Sequence, residues 1–232
     1  MADVARYQST WGRYLDPTGL RELYRGDGAP PVHVKGQHPP AGIDNMRLKT
    51  VDVFRIPGMG EYKVPFEGYF QVVRSNPSTP DWKTATVYVN FTDLKLFGTH
   101  EALGDITVDL NPNVLSGGNT YPGAGVNQGN VVCRINVAAR FHVDKLSTVL
   151  FNKTPIQLKN DNVQGIPTIG EGGPAVVNSL PLYNVKQPEG DLFGYVEEVE
   201  YMVLNYITQP EAELYRAAQS FAEFKKLANP GS

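Results

Sequence analysis

The chain has 232 residues, is 41% hydrophobic and carries a formal charge of −3, with 23 glycines, 18 prolines and one cysteine. This length and apolar content suffice for a core that needs no metal or disulfide staple, and the lone Cys133 excludes an intrachain disulfide and a Cys-based zinc site. The acidic balance argues against nucleic-acid binding, which needs a concentrated basic surface.

The opening "MADVARYQSTWGRYL" has no apolar core of the length a secretory signal needs, and no later stretch approaches a membrane span. A cytoplasmic protein is expected, so the sequons at Asn90 and Asn152 are read as chance. "DPTGLRELYRGDG" predicts a short helix, with Asp16 as cap, Pro17 in the first turn and Gly26 as stop. "GDGAPPVHVKGQHPPAG" follows with loop chemistry throughout, so residues 1–46 read as a helix and proline-rich arm.

From Arg47 the pattern changes to strands. "KTVDVFRI" and "EGYFQVV" are rich in β-branched and aromatic residues, with "PGMGEYKVP" turning between them. In "WKTATVYVNFTDLKLFG" the apolar parity flips between Phe91 and Leu94, which predicts a bulge that bends the strand or hands it to a second sheet. "DITVDL" is a strand with Ile106, Val108 and Leu110 inward. The Gly/Asn-rich stretch 111–130 reads as a loop of about twenty residues and a place for a ligand lid. "VVCRINVAARFHV" (131–143) alternates most regularly, its odd positions all apolar. "STVLF", "PIQL", "AVVNSLPLYNV" and "FGYVEEVEYMVLNYI" complete the β body, 47–208.

The tail, 209–232, predicts one helix over about 209–227. Thr208 and Glu211 form a capping box, Pro210 lies in the first turn, and Leu214, Ala217, Ala218, Phe221 and Phe224 make an apolar stripe, with Leu214 and Phe221 expected to dock. Eight to ten short strands with turns between them predict an all-β fold, an antiparallel β-sandwich or partly closed barrel.

No Walker A loop, dinucleotide-binding glycine turn, G-x-S-x-G elbow or H-E-x-x-H occurs, so no catalytic residue and no cofactor is expected. His33 and His38 lack a visible third ligand, and "KNDNVQG" has too few carboxylates for calcium, so no metal is expected. The even row of 131–143 holds Arg134, Arg140 and His142. Arg134 stands about 20 Å from Arg140 along a strand, so only the Arg140–His142 end could serve a compact site. The bland reading, a solvated or charge-paired outer face with Glu197, Glu198 and Glu200 as natural partners, is preferred over an anion site. The candidate ligand-binding residues are Arg140, His142, and Asn119 and Tyr121 from the Gly/Asn-rich stretch.

The stretch "VDVFRIPGMGEYKVPFEGYFQVVRSNPSTPDW", with "LFNKTPIQL" further on, resembles an uncharacterised actinobacterial family known as a domain of unknown function. The resemblance spans most of the chain after residue 47, implies a bacterial origin and brings no activity or site residue. The leading expectation is a non-enzymatic module that binds a protein partner or forms a homo-oligomer. The alternative is a cofactor-independent enzyme or carrier with a small apolar ligand between its sheets. A carbohydrate- or calcium-binding module ranks third.

Overall fold

A computed structural model describes residues 40–81, 83–124, 131–160, 170–172 and 179–228. The predicted N-terminal helix, most of the arm and most of "KNDNVQG" lie outside these residues.

Twelve strands form one antiparallel system: β1 (Gly42–Ile56), β2 (Gly60–Arg74), β3 (Val87–His100), β4 (Gly104–Leu110), β5 (Gly117–Pro122), β6 (Val131–Val137), β7 (Ala139–Val143), β8 (Thr148–Asn152), β9 (Ile156–Asn160), β10 (Gly170–Gly172), β11 (Leu180–Asn184) and β12 (Gly194–Tyr206). Eight of them close a ring in the order β2-β1-β12-β11-β8-β7-β4-β3, with β3 pairing back to β2. The fold is therefore a closed barrel. A side sheet branches from it, running β3-β5-β6-β9, and β10 adds to β12.

The parity flip in β3 is where barrel and side sheet part. Gln71 pairs Asp93 while its neighbour Val72 pairs Phe91, so Thr92 is bulged out. Before the bulge, Val87–Asn90 pair with β5; after it, Lys95–His100 pair with β4. The stretch 131–143 divides likewise, into β6 in the side sheet and β7 in the barrel, with Ala138 between them. Buried polar side chains stitch this corner. Ser116 Oγ accepts from Ala138 N (2.8 Å), Asn152 Oδ1 accepts from Ala139 N (2.7 Å), and Asn152 Nδ2 donates to the carbonyls of Val137 and Thr154. Asn90 and Asn152, the two sequon asparagines, are both buried.

Several boundaries depart from expectation. β1 begins at Gly42, inside the stretch read as arm, and the turn to β2 shrinks to residues 57–59, with Gly58 at φ 79°. Pro65 fits within β2 because pairing to β3 stops at Phe66–Gly98, leaving that edge open beyond it. The stretch 111–130 is not one long loop: β5 occupies 117–122. Gly118 lets β5 approach β6 closely, since a Cβ there would sit 1.9 Å from the Arg134 carbonyl oxygen.

The single C-terminal helix is two, α1 (Gln209–Ala217) and α2 (Phe221–Ala228), parted by extended backbone at Ala218. The predicted capping box at Thr208–Glu211 is present. The break resets the helical phase. Leu214 is 49% exposed and Phe221 only partly buried, while Ala212, Tyr215, Ala218 and Phe224 pack with Ile207 on Tyr69 and Phe97. The helices thus cover the outer face of β2 and β3.

Candidate functional site

The barrel interior is built by alternation. On β1 the inward row is Asp44, Met46, Leu48, Thr50, Asp52, Phe54 and Ile56, every one buried, while Arg47, Lys49 and Arg55 point outward. Four hairpin turns (57–59, 101–103, 144–147 and 185–193) gather at one end of the barrel. That end is plugged by Leu103, 1% exposed, and by Tyr62 edge-on to His100 at 5.1 Å. Next comes an aromatic layer in which Phe54 meets both Phe66 (6.1 Å) and Phe141 (5.5 Å).

At the opposite end Arg74 grips Asp44 through two bonds, Nε–Oδ2 at 2.8 Å and Nη2–Oδ1 at 3.0 Å, with both side chains almost wholly buried. Arg74 also donates to the Pro40 carbonyl. Between the two ends lie mostly aliphatic and aromatic side chains, including Leu48, Phe66, Leu94, Leu96 and Val199.

Asp52 interrupts this apolar lining. Its cross-strand neighbours are Val64 and Val199, both buried, and Phe54 flanks it on the strand. Its hydrogen-bond partner among the described residues is Thr50, whose hydroxyl donates to Oδ1 at 3.0 Å. Burial pushes the Asp52 carboxyl up to about 7, against a smaller lowering by the Thr50 bond. Burial therefore favours the neutral form of this acid inside an apolar wall. Asp52 and Asp44 are eight residues apart on one strand, about 27 Å along it, so the Arg74 guanidinium serves only the far end.

The residues singled out from sequence lie elsewhere. Arg140 and His142 are on the outer wall of β7, half-buried. Both bind Asp109 of the neighbouring β4: Arg140 through Nε (2.8 Å) and Nη2 (3.1 Å), His142 through Nε2 (2.9 Å). Burial raises the Asp109 carboxyl, but the hydrogen bonds and charges of His142 and Arg140 outweigh it and hold Asp109 below the ordinary range. The Arg140–His142 end is charge-paired through Asp109 and not through Glu197, which binds Arg55 and Ser179. Asn119 and Tyr121 sit on β5 in the side sheet, Asn119 in register with Tyr88 and Arg134. The sheet order separates β5 from β7 by β3 and β4, so the four residues do not share an element or a neighbouring pair of strands. Burial pushes the Cys133 thiol up to about 12, which keeps it inert. Among the described residues no group of three or more His, Cys, Asp or Glu could hold a metal ion.

The sequence does carry a signal for Asp52. Arg47, Lys49 and Arg55 share the odd row of β1, and three long cations on one row place the even row, with Asp44 and Asp52, inward. The apolar Val51 and Val53 on the odd row mask it.

These features define an eight-stranded antiparallel barrel whose apolar interior contains one acid without a cation among the described residues. The chain belongs to the family of unknown function DUF6073, matched over residues 1–213. Among solved structures, DynF from the dynemicin biosynthesis pathway of Micromonospora chersina is 36% identical, with a TM-score of 0.73; the match covers 80% of this chain and 89% of that one. No curated protein matches the chain. Among the described residues no helix is long and apolar enough to cross a membrane.

Proposed function

We propose that the protein holds a small, largely apolar molecule inside its barrel, as a binding or carrier protein. The observation that carries this reading is the closed eight-stranded ring with an apolar interior broken by Asp52 and Thr50. Barrels of this size enclose a space that side chains fill or that takes one small ligand, and such sites pair apolar walls with a few placed polar groups. The similarity to DynF adds support, because that protein belongs to the biosynthesis of a small molecule. We infer a related place for this chain, in handling a biosynthetic small molecule rather than a macromolecule.

A protein-partner or self-assembly role finds less support. Among the described residues the exposed large apolar side chains (Met59, Val114, Leu115, Val185, Leu192 and Leu214) are spread over three turns and one helix. A native mass spectrum of protein purified from its own host tests the proposal. A retained small molecule, released by organic solvent, is expected. A bare chain mass, together with no uptake of the neutral apolar dye N-phenyl-1-naphthylamine, would overturn it.

A further inference from the structure

Asp44 and Asp52 share the inward row of β1 and are buried alike, at 1% and 6% exposure, but among the described residues only Asp44 has a cation. An ionised carboxylate offers about four acceptor sites, and a protonated one offers a donor as well. One threonine hydroxyl leaves most of that capacity unused, in surroundings where unused polar capacity is costly. The chain could satisfy the position with a leucine. It instead places an acid there, between Val64 and Val199 and beside the Phe54–Phe66 pair.

No other described ionisable group competes for it. The inward-facing ones are Asp44 on β1, Tyr62 and Arg74 on β2, and His100 on β3. Asp44 and Arg74 are bonded to each other, Tyr62 donates to the Met59 carbonyl, and His100 packs on Tyr62. The described inward side chains of β4, β7, β8, β11 and β12 include no ionisable group; the polar ones are Thr148, Asn152 and Asn184, and the rest are apolar. The charges of Lys49, Arg55, Lys63, Glu67, Glu197 and Glu198 belong to the outward rows of β1, β2 and β12.

We propose that Asp52, oriented by Thr50, is the polar anchor of the barrel interior and holds a neutral carbonyl oxygen of an otherwise apolar ligand. The inference rests on the reading of the barrel as a ligand-holding protein. The protonated carboxyl donates its O–H to the carbonyl oxygen, while the Thr50 hydroxyl donates to the other carboxyl oxygen and fixes the plane of the group. A ketone, ester or quinone carbonyl fits this arrangement. A ligand carboxylate does not, because it would place a second anion beside an acid in an apolar interior.

The test compares butyrophenone with butylbenzene, a ketone and a hydrocarbon of like shape, as displacers of N-phenyl-1-naphthylamine at pH 6 and pH 8. The proteins are the wild type, Asp52→Leu and Asp52→Asn. Comparing ratios between proteins removes the intrinsic difference in hydrophobicity. At pH 6 the ketone-to-hydrocarbon affinity ratio is expected to fall about fivefold in Asp52→Leu, the value of one hydrogen bond. Asp52→Asn, whose amide still donates, is expected to keep the ratio and to show the same value at both pH values. The wild-type ratio is expected to drop at pH 8. If Asp52→Leu does not fold, the wild type and Asp52→Asn across the two pH values decide the question. A ratio that is equal in every protein and at both pH values overturns the anchor while leaving ligand holding intact. Displacement by neither compound in any protein overturns ligand holding and the anchor with it.

Discussion

Phe54 of β1 and Phe141 of β7 meet edge to face, ring centroids 5.5 Å apart and planes at 83°. These strands lie on opposite sides of the ring, four strand steps apart either way, by β2, β3 and β4 or by β12, β11 and β8. The contact therefore spans the barrel and divides the plugged hairpin end from the region around Thr50. Phe141→Ala is expected to cost about 3–5 kcal/mol, the usual loss for a buried aromatic ring. It should also admit more N-phenyl-1-naphthylamine. Urea unfolding and dye titration on the same variant check both effects.

Asp52 makes stability fall with rising pH. Its folded value is raised to about 7 from an ordinary value near 3.8, so the contribution is fully present below about pH 4 and is lost as pH rises through about 7. The full difference is about 4 kcal/mol. Asp52→Asn removes this slope, so the stability difference between variant and wild type should shift in favour of the variant from pH 5 to pH 8. Denaturant unfolding across that range measures it, and parallel curves would contradict the assignment.

The Asp44–Arg74 pair is a structural lock. Arg74→Met leaves a buried carboxylate without its cation and is expected to cost about 3–5 kcal/mol. Replacing both partners by apolar residues should recover much of that loss. A double-mutant cycle by urea denaturation tests the pair.

The outer cluster should behave as structure rather than as a ligand site. Arg140→Gln breaks a half-exposed pair and is expected to cost about 1 kcal/mol or less. Asp109 sits below its ordinary value, so the stability it gives is present above the ordinary carboxylate range and lost as pH falls through the lowered value. Because Asp109 already occupies the Arg140 guanidinium, phosphate or sulfate should give no thermal shift that Arg140→Gln abolishes.

The helices dock by Phe224, which stacks on Phe97 at 5.1 Å. Phe224→Ala is expected to cost about 3–5 kcal/mol, and Leu214→Ala less than about 0.5 kcal/mol. The reverse order would mean that one continuous helix forms, as its stripe of apolar residues suggests.

Local pattern and long-range closure were legible to different degrees. The inward rows of β4 and β7 follow from alternation because each has one apolar and one polar face. The bulge at Thr92 shows in sequence because a parity change has no other simple cause in a strand. Ring closure does not, since it depends on β1 pairing β12 in registers such as Met46 with Tyr206, far apart in the chain. β5 was hidden because its glycines, which allow close strand approach, are also loop residues. The helix break at Ala218 escaped because the apolar stripe runs through it, although Ser220 and Glu223 carry a local start signal for the second helix, the Ser220 hydroxyl accepting from Glu223 N at 3.2 Å. Asp52 was hidden because a charged residue inside an apolar row reads first as the wet face of a strand.

The claim that a ligand is held inside the barrel is tested most directly by photo-crosslinking with benzophenone, a neutral apolar ketone, followed by peptide mapping. Crosslinks are predicted on the inward row, at Leu48, Phe66, Leu94 or Leu96, and they should be suppressed by excess butyrophenone. Crosslinks confined to the outer face, at Leu214, Val185 or Leu192, and insensitive to competitor would contradict it.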